Sequence, residues 1–417
     1  MRLLLDVRPL RSSPAFRRMW VGSALSTMGG QLAVVAVLLQ TWELTASPVA
    51  VGAIGLAQAV PMIVFGVVGG TLADAVDRRR LVLYTTLGQI LVAGLLAAQA
   101  LAGLGSLAVL LGLVALQSAG SALGAPARRT FAARLLPADQ VGAGLALANL
   151  SFQGAMLVGP AVAGVIAAGW GVGACYVVDE LTFLAALYGV VRLPPLPPDG
   201  EVARPGLRAV VAGWRFIGSR PVLTGAFLSD LLATVLAMPI ALFPVVNAER
   251  FGGGAQTLGL FLSAIAVGGI TAGLASGAVT RARRPGMVML GAAGVWGLAL
   301  AAFGVAPSLW LVLGCLAVAG AADTVSVISR GALVQLATPD AYRGRVSAVE
   351  DVVGMAGPYL GNFRAGLVAG VTSAGFAAVS GGLLCVLGIA AVATTNTAVR
   401  RVGIAAKPLS RKEVEVA

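Results

Sequence analysis

The chain has 417 residues, 58% hydrophobic and 11% charged, with a formal net charge of +12 and a mean hydropathy of +0.92. Soluble domains carry about a quarter charged residues, so this composition excludes an ordinary soluble fold and predicts an integral membrane protein. Nor does the positive charge make a nucleic-acid surface, because the arginines come in short runs between apolar segments with no interleaved aromatics.

A spanning helix needs about 20 apolar residues. Turn and charge clusters divide the chain into twelve such segments, near 17–43, 48–74, 81–103, 106–127, 139–168, 170–193, 221–248, 256–281, 285–305, 308–334, 345–370 and 374–397. Their apolarity is continuous rather than alternating every second residue, which predicts an all-α membrane protein and not a barrel. Arg2, Arg8, Arg11, Arg17 and Arg18 precede the first segment, and Arg78–Arg80, then Arg128, Arg129 and Arg134, lie in the second and fourth connections. Arg204, Arg208, Arg215 and Arg220 fall in the sixth, Arg281, Arg283 and Arg284 in the eighth, and Arg343 and Arg345 in the tenth. Arg400, Arg401, Lys407, Arg411 and Lys412 form the tail, while Arg250 is the one basic residue of the odd-numbered connections. Lys and Arg collect on the inner side, so both termini and every even connection are expected in the cytoplasm, in a multi-pass protein of the cell (inner or plasma) membrane. The first twenty residues lack a separate apolar core and cleavage site, so no signal peptide is expected.

Residues 194–220 open with Pro-Pro-Leu-Pro-Pro-Asp-Gly and form the longest polar break. They predict a linker between an N-terminal six-helix bundle at 1–193 and a C-terminal one at 221–399, followed by a basic tail at 400–417. A weak internal repeat supports the division. Sliding the chain by 201 positions lays Arg129 on Arg330, Leu135 on Leu336, Asp139 on Asp340, Asn149 on Glu350 and Ala122 on Asp323.

Between the second and third segments stands Gly-Gly-Thr-Leu-Ala-Asp-Ala-Val-Asp-Arg-Arg-Arg, residues 69–80. It resembles motif A of the major facilitator superfamily, roughly Gly-x-Leu-Ala-Asp-x-x-Gly-Arg-Arg, matched by Gly70, Leu72, Ala73, Asp74, Arg78 and Arg79, with Asp77 in place of the second glycine. The fifth segment holds Gly159, Pro160 and Gly164, which resemble motif C of proton-coupled exporters, with Ala155 and Ala163 replacing two of its glycines. Such a stretch is either a hinge or ordinary small-residue packing between helices. Asp323, Arg330, Gln335, Pro339, Arg343, Gly344, Arg345 and Val346 narrow the resemblance to the enterobactin-exporter-like and macrolide-efflux-like branch, with Leu-Thr-Ala-Ser at 44–47 and Leu242-Phe243-Pro244 in agreement. It then departs. Where the branch carries a glutamate-bearing run, this chain has Pro358-Tyr359-Leu360-Gly361-Asn362-Phe363-Arg364, so a carboxylate becomes Arg364.

The resemblance implies twelve transmembrane helices in two pseudo-symmetric six-helix bundles, and a secondary active, proton-coupled exporter of a small amphipathic molecule, a drug-like compound or a siderophore. An uptake porter of the same fold, a passive channel and a transport-inactive receptor are the alternatives. It also implies that Asp74 faces the helix start at Arg343 and Arg345 across the two halves, so that Gly70, Asp74, Arg78, Arg79, Arg343 and Arg345 make a cytoplasmic gate. The counterpart in the second half, Ala278-Val279-Thr280-Arg281, has lost the acid.

A charge at mid-membrane is costly and marks a functional candidate. Asp230 lies about 14 Å into its segment, close to the midplane of a core about 30 Å thick, and Asp323 is similarly deep. Each is a proton-coupling candidate; the alternatives are a structural hydrogen bond for Asp230 and a pair with Arg330, seven residues on, for Asp323. Glu350 and Asp351 are further candidates, or partners in a salt bridge one turn beyond Arg345. Asp179, Glu180 and Arg364 are expected towards the outer face, reaching for the interface. Gln31, Gln58, Gln117, Asn149 and Gln153 are candidates for the central cavity, alongside Gln40 and Gln89. The chain has no histidine, so a histidine relay or histidine metal site is excluded, and no nucleotide-binding Gly-x4-Gly-Lys-Ser/Thr occurs. Cys175, Cys315 and Cys385 sit in apolar runs without CxxC spacing and are expected as packed thiols. No enzyme constellation, metal or cofactor is expected, and the partners are a small substrate, protons and the bilayer, for a monomer.

Overall fold

The computed structural model describes residues 6–197 and 207–402. Arg2, Arg204, Lys407, Arg411, Lys412, the middle of the 194–220 linker and most of the 400–417 tail lie outside the described residues, as do the side chains of Arg208, Ala278 and Asp351.

The described chain folds as α1 (Arg8–Ser12), α2 (Pro14–Thr45), α3 (Pro48–Ala75), α4 (Arg78–Leu101), α5 (Leu107–Arg129), α6 (Phe131–Leu135), α7 (Ala138–Val191) and α8 (Leu207–Ser219). It continues as α9 (Pro221–Ala237), α10 (Phe243–Phe251), α11 (Ala255–Leu274), α12 (Ser276–Thr280), α13 (Pro285–Val305), α14 (Leu309–Ala337), α15 (Arg343–Val371), α16 (Ala374–Thr395) and α17 (Thr397–Arg401). The helix starts are written locally. Ser13, Ser47, Ser106, Ser308 and Ser373 each accept from the backbone N–H three residues on. Pro14 and Pro48 supply a first-turn residue that has no N–H to satisfy.

Ten of these helical stretches are long and apolar enough to cross a membrane, counting α9 with α10 as one. α7 is 54 residues long and breaks at Gly171, with φ 79° and ψ 171°. Cys175 Sγ lies 3.6 Å from the Ala163 carbonyl, whereas twelve residues of unbroken helix would separate them by about 18 Å. α7 is therefore a hairpin of two crossings turning on a glycine. α15 is less apolar than these, with Arg343, Arg345, Glu350 and Asp351 in its first turns and Asn362 and Arg364 further on, yet it packs along α3 and α9 like a spanning helix. The expected twelve crossings thus require α7 counted twice and α15 admitted by its packing.

The amino-terminal helices α2–α7 pack on one another and α9–α16 do the same, and the two sets meet chiefly along α3 with α15 and α7 with α11. Both seams close by removal of side chains. An added Cβ at Gly52 would stand 3.0 Å from Gly366 Cα, and one at Gly164 would stand 2.8 Å from the Ala255 carbonyl. Small residues allow this approach, and dispersion plus excluded lipid hold it. All these contacts lie towards one end, opposite to the arginine-rich connections. Nearer the arginine-rich end, an added Cβ at Gly66 or Gly70 of α3, Gly344 of α15 or Gly273 of α11 would meet nothing within 4 Å. Close backbone approach between the two sets is thus seen at the end opposite the arginines.

The linker is more ordered than a polar break suggests. Its first part straps back onto the amino-terminal set: Leu196 is buried, its N–H donates to Asp77 Oδ2 at 3.1 Å, and its carbonyl accepts from the Arg78 N–H at 3.0 Å. Its second part is the helix α8, whose Phe216 stacks on Tyr342 with ring centroids 4.2 Å apart, next to the start of α15.

Candidate functional site

Three charged groups converge between α9 and α14. Asp230 and Arg330 form a direct ion pair with side-chain exposures of only 11% and 10%. Sequence spacing put Arg330 with Asp323 on its own helix; the partner instead comes from α9, because packing α9 against α14 brings Asp230 within reach of the guanidinium. Asp323 is solvent-accessible while surrounded by protein, with the charges of Asp230 and Arg330 acting on it.

The motif C-like stretch makes the tight part of the α7–α11 seam. A Cβ at Gly159 would meet Gln31 Cβ at 2.5 Å, and the backbone of Pro160 lies against Gly259. Ser263 donates across the seam to the Leu157 carbonyl at 2.8 Å, so a backbone acceptor near the proline is occupied. Gln31 is thereby placed at the junction of α2, α7 and α11. Gln58 and Gln153 are half-buried, Asn149 is exposed, and the Gln117 Oε1 is buried without a hydrogen-bond partner. Two other glutamines prove architectural. Gln40 and Gln99 exchange 3.0 Å hydrogen bonds while Tyr176 donates to Gln40, and Gln89 with Thr86 accepts from Arg128 at 2.8 and 3.1 Å.

The gate residues are present but not joined. Asp74 is half-exposed and makes no hydrogen bond or ion pair with a described residue. Arg343 pairs instead with Asp340 at 3.0 Å, and the Arg345 guanidinium lies 5.2 Å from the Tyr342 ring centroid. Arg78 Nε and Arg79 Nη2 donate to the carbonyls of Ala73 and Val191, which ties the turn to its own half. Asp77 caps α4 through the Arg80 N–H at 3.1 Å and also accepts from the Leu196 N–H, so it anchors the linker. Gly70 opens onto free space. Glu350 is half-buried and engaged with a partner.

Two expectations about the outer face are corrected. Arg364 does not reach for the interface; its guanidinium donates to the Leu236 carbonyl, at the end of α9. Pro239 breaks the helix there, and Asn362 Oδ1 accepts from the Ala241 N–H at 3.1 Å. The departing run at 358–364 therefore supplies the partners that a broken helix needs. Asp179 is 1% exposed, turned into the seam between α2 and α7. Apolarity on every side of these helices left no signal for the direction in which that carboxylate points.

The chain matches the transmembrane secretion effector family over residues 6–415. It is 30% identical over 400 residues to the enterobactin exporter EntS of Citrobacter koseri, and 29% identical to that of Escherichia coli O139:H28, each alignment covering 93% of both chains. Solved structures share the fold. A POT family transporter in complex with 5-aminolevulinic acid superposes with a TM-score of 0.74 at 11% identity, over 93% of this chain and 97% of that one. A bacterial homolog of the human lysosomal transporter Spinster gives 0.68 at 15% identity, over 94% and 97%. With the helix order and both seams in place, the chain belongs to the transmembrane secretion effector family of the major facilitator superfamily and is a multi-pass membrane transporter rather than an enzyme.

Proposed function

We propose that the protein is a proton-coupled exporter that moves a small amphipathic molecule, a drug-like compound or a siderophore, by alternating access. What supports this reading is the buried Asp230–Arg330 pair with the charge of Asp323 beside it, together with seam glycines that pack closely at one end and meet nothing at the other, which we read as splayed. The splayed end is the cytoplasmic one, because it bears the arginine-rich connections. In this state the substrate enters from the cytoplasm. A proton arriving from the other side, at Asp230 directly or by way of its neighbour Asp323, neutralises Asp230 and releases Arg330, and the halves at 1–193 and 221–399 rock about the seam at Gly159, Pro160 and Gly164. The linker at 194–220 joins them, and the tail at 400–417 stays in the cytoplasm. Closure brings Asp74 to the start of α15, where the helix dipole and Arg343 or Arg345 favour it. The EntS relatives support the outward direction, and the protein works in the inner membrane as a monomer.

Oriented proteoliposomes under an imposed pH gradient test this, with ethidium as the first probe and catecholates and macrolides after it. Uphill movement away from the cytoplasmic face, lost in Asp230→Asn, is expected. Uphill movement the other way makes it an uptake porter, and purely downhill flux makes it a channel.

A further inference from the structure

Asp179 is the buried carboxylate that the exchange described above does not use. It lies eight residues past the Gly171 turn, about 12 Å into the crossing and well inside a core about 30 Å thick. Neither Oδ1 nor Oδ2 receives a hydrogen bond from any described residue. Buried anions without donors cost several kcal/mol, so such groups are kept neutral.

No cation faces Asp179 from the elements packed around it. On α7 itself its neighbours are Cys175, Tyr176 and Glu180; the Tyr176 hydroxyl is committed to Gln40 at 2.8 Å, and Glu180 lies beside Gly94 of α4. From α4 come Gly94 and Gln99, and from α2 come Gly29 and, further along, Glu43, whose charge acts on Tyr176. Opposite the carboxylate α2 has no side chain at all: a Cβ at Gly29 would stand 2.7 Å from Asp179 Oδ1. The next residue, Gly30, faces open space, and Gln31 beyond it touches Gly159 at the α7–α11 seam. At this level α2 therefore places no side chain between the carboxyl and its own open side at Gly30.

We infer that Asp179 is a second proton-binding site, in the amino-terminal half, which holds its proton in this state and exchanges it with the central cavity across the Gly29–Gly30 window. It deepens the proton-coupled reading, adding a site that carries its proton as a neutral acid while Asp230 is held as an ion pair. The ligand is the proton itself. A sodium ion would need several converging oxygens, and among the described residues no group of acidic side chains gathers to hold a metal ion.

Infrared difference spectroscopy of the full-length protein in lipid vesicles, with no substrate present, tests the assignment. The wild type is expected to show the C=O stretch of a protonated carboxyl at neutral pH. That band is lost in Asp179→Asn and in Asp179→Ser, and is retained in the Asp230→Asn, Arg330→Gln double variant. Its shift on transfer to D2O is slowed in Gly30→Leu, which fills the open side of the window. A band that persists in both Asp179 variants overturns the assignment, as does one that sodium removes from the wild type at constant pH, or a D2O shift unaffected by Gly30→Leu. Failure of wild-type protein to transport uphill would sink the coupled-exporter reading while leaving this band assignment standing, so the two fail separately.

Discussion

Replacing Gly366 by alanine should open the end of the transporter that is shut. The added Cβ would stand 2.5 Å from the Pro48 carbonyl oxygen, 2.7 Å from Gly52 Cα and 2.9 Å from Gly52 N. All three are backbone atoms, so no side chain can swing away, and α3 and α15 must part by about 0.5–1 Å to restore contact distances. Overpacking of this kind costs about 1–3 kcal/mol, and it falls only on the state in which this seam is closed. A cost of about 2 kcal/mol changes the ratio of shut to open forms about thirtyfold. Nitroxides at Leu44→Cys and Thr372→Cys, exposed positions near the shut end, report the separation by double electron–electron resonance once Cys315, the less buried of the three native thiols, has been replaced. The long-distance population is expected to grow at the expense of the short one. An unchanged distribution in a folded, monodisperse variant would refute the claim that these glycines hold that end shut.

Asp230→Asn alone strands a buried guanidinium and should cost about 3–5 kcal/mol of stability; the Asp230→Asn, Arg330→Gln double variant should recover the thermal melting point without recovering uphill transport. Asp74→Asn should leave the state seen here intact, since the Asp74 side chain makes no hydrogen bond or ion pair with a described residue in it, but favour it over the opposite one, read as increased labelling of cysteines placed beside Gly70. Asp77→Ala removes both the cap of α4 and the bond to Leu196; a loss of about 1 kcal/mol should appear as faster amide exchange at Leu196.

The helical segments were legible because length and apolarity decide whether a segment can span. Gly171 is the instructive case: 139–168 and 170–193 were expected as separate segments, and the hairpin keeps them so even though helical turns run almost to the glycine on each side. Partners were harder to read. Arg330 finds Asp230 on another helix, and Asp179 points into a seam, because helices apolar all round give no rotational phase from which to infer a facing side chain. The helix α8 was hidden for another reason. Its residues, 207–219, are amphipathic against the start of α15, yet they follow a proline-rich stretch that reads as a plain linker. Arg364 shows how a change of charge can serve architecture, since its partner is a carbonyl freed by a helix break that the sequence only hints at through Pro239.

The central claim is that substrate movement and proton movement are obligatorily exchanged. Proteoliposomes loaded with ethidium and a trapped pH indicator, then diluted into dye-free buffer at equal pH with the membrane potential clamped, test it directly. The account predicts that dye leaving the lumen draws protons inward and acidifies it, with the signal abolished in the Asp230→Asn, Arg330→Gln variant. Dye efflux through the wild type with no change in lumenal pH would contradict it.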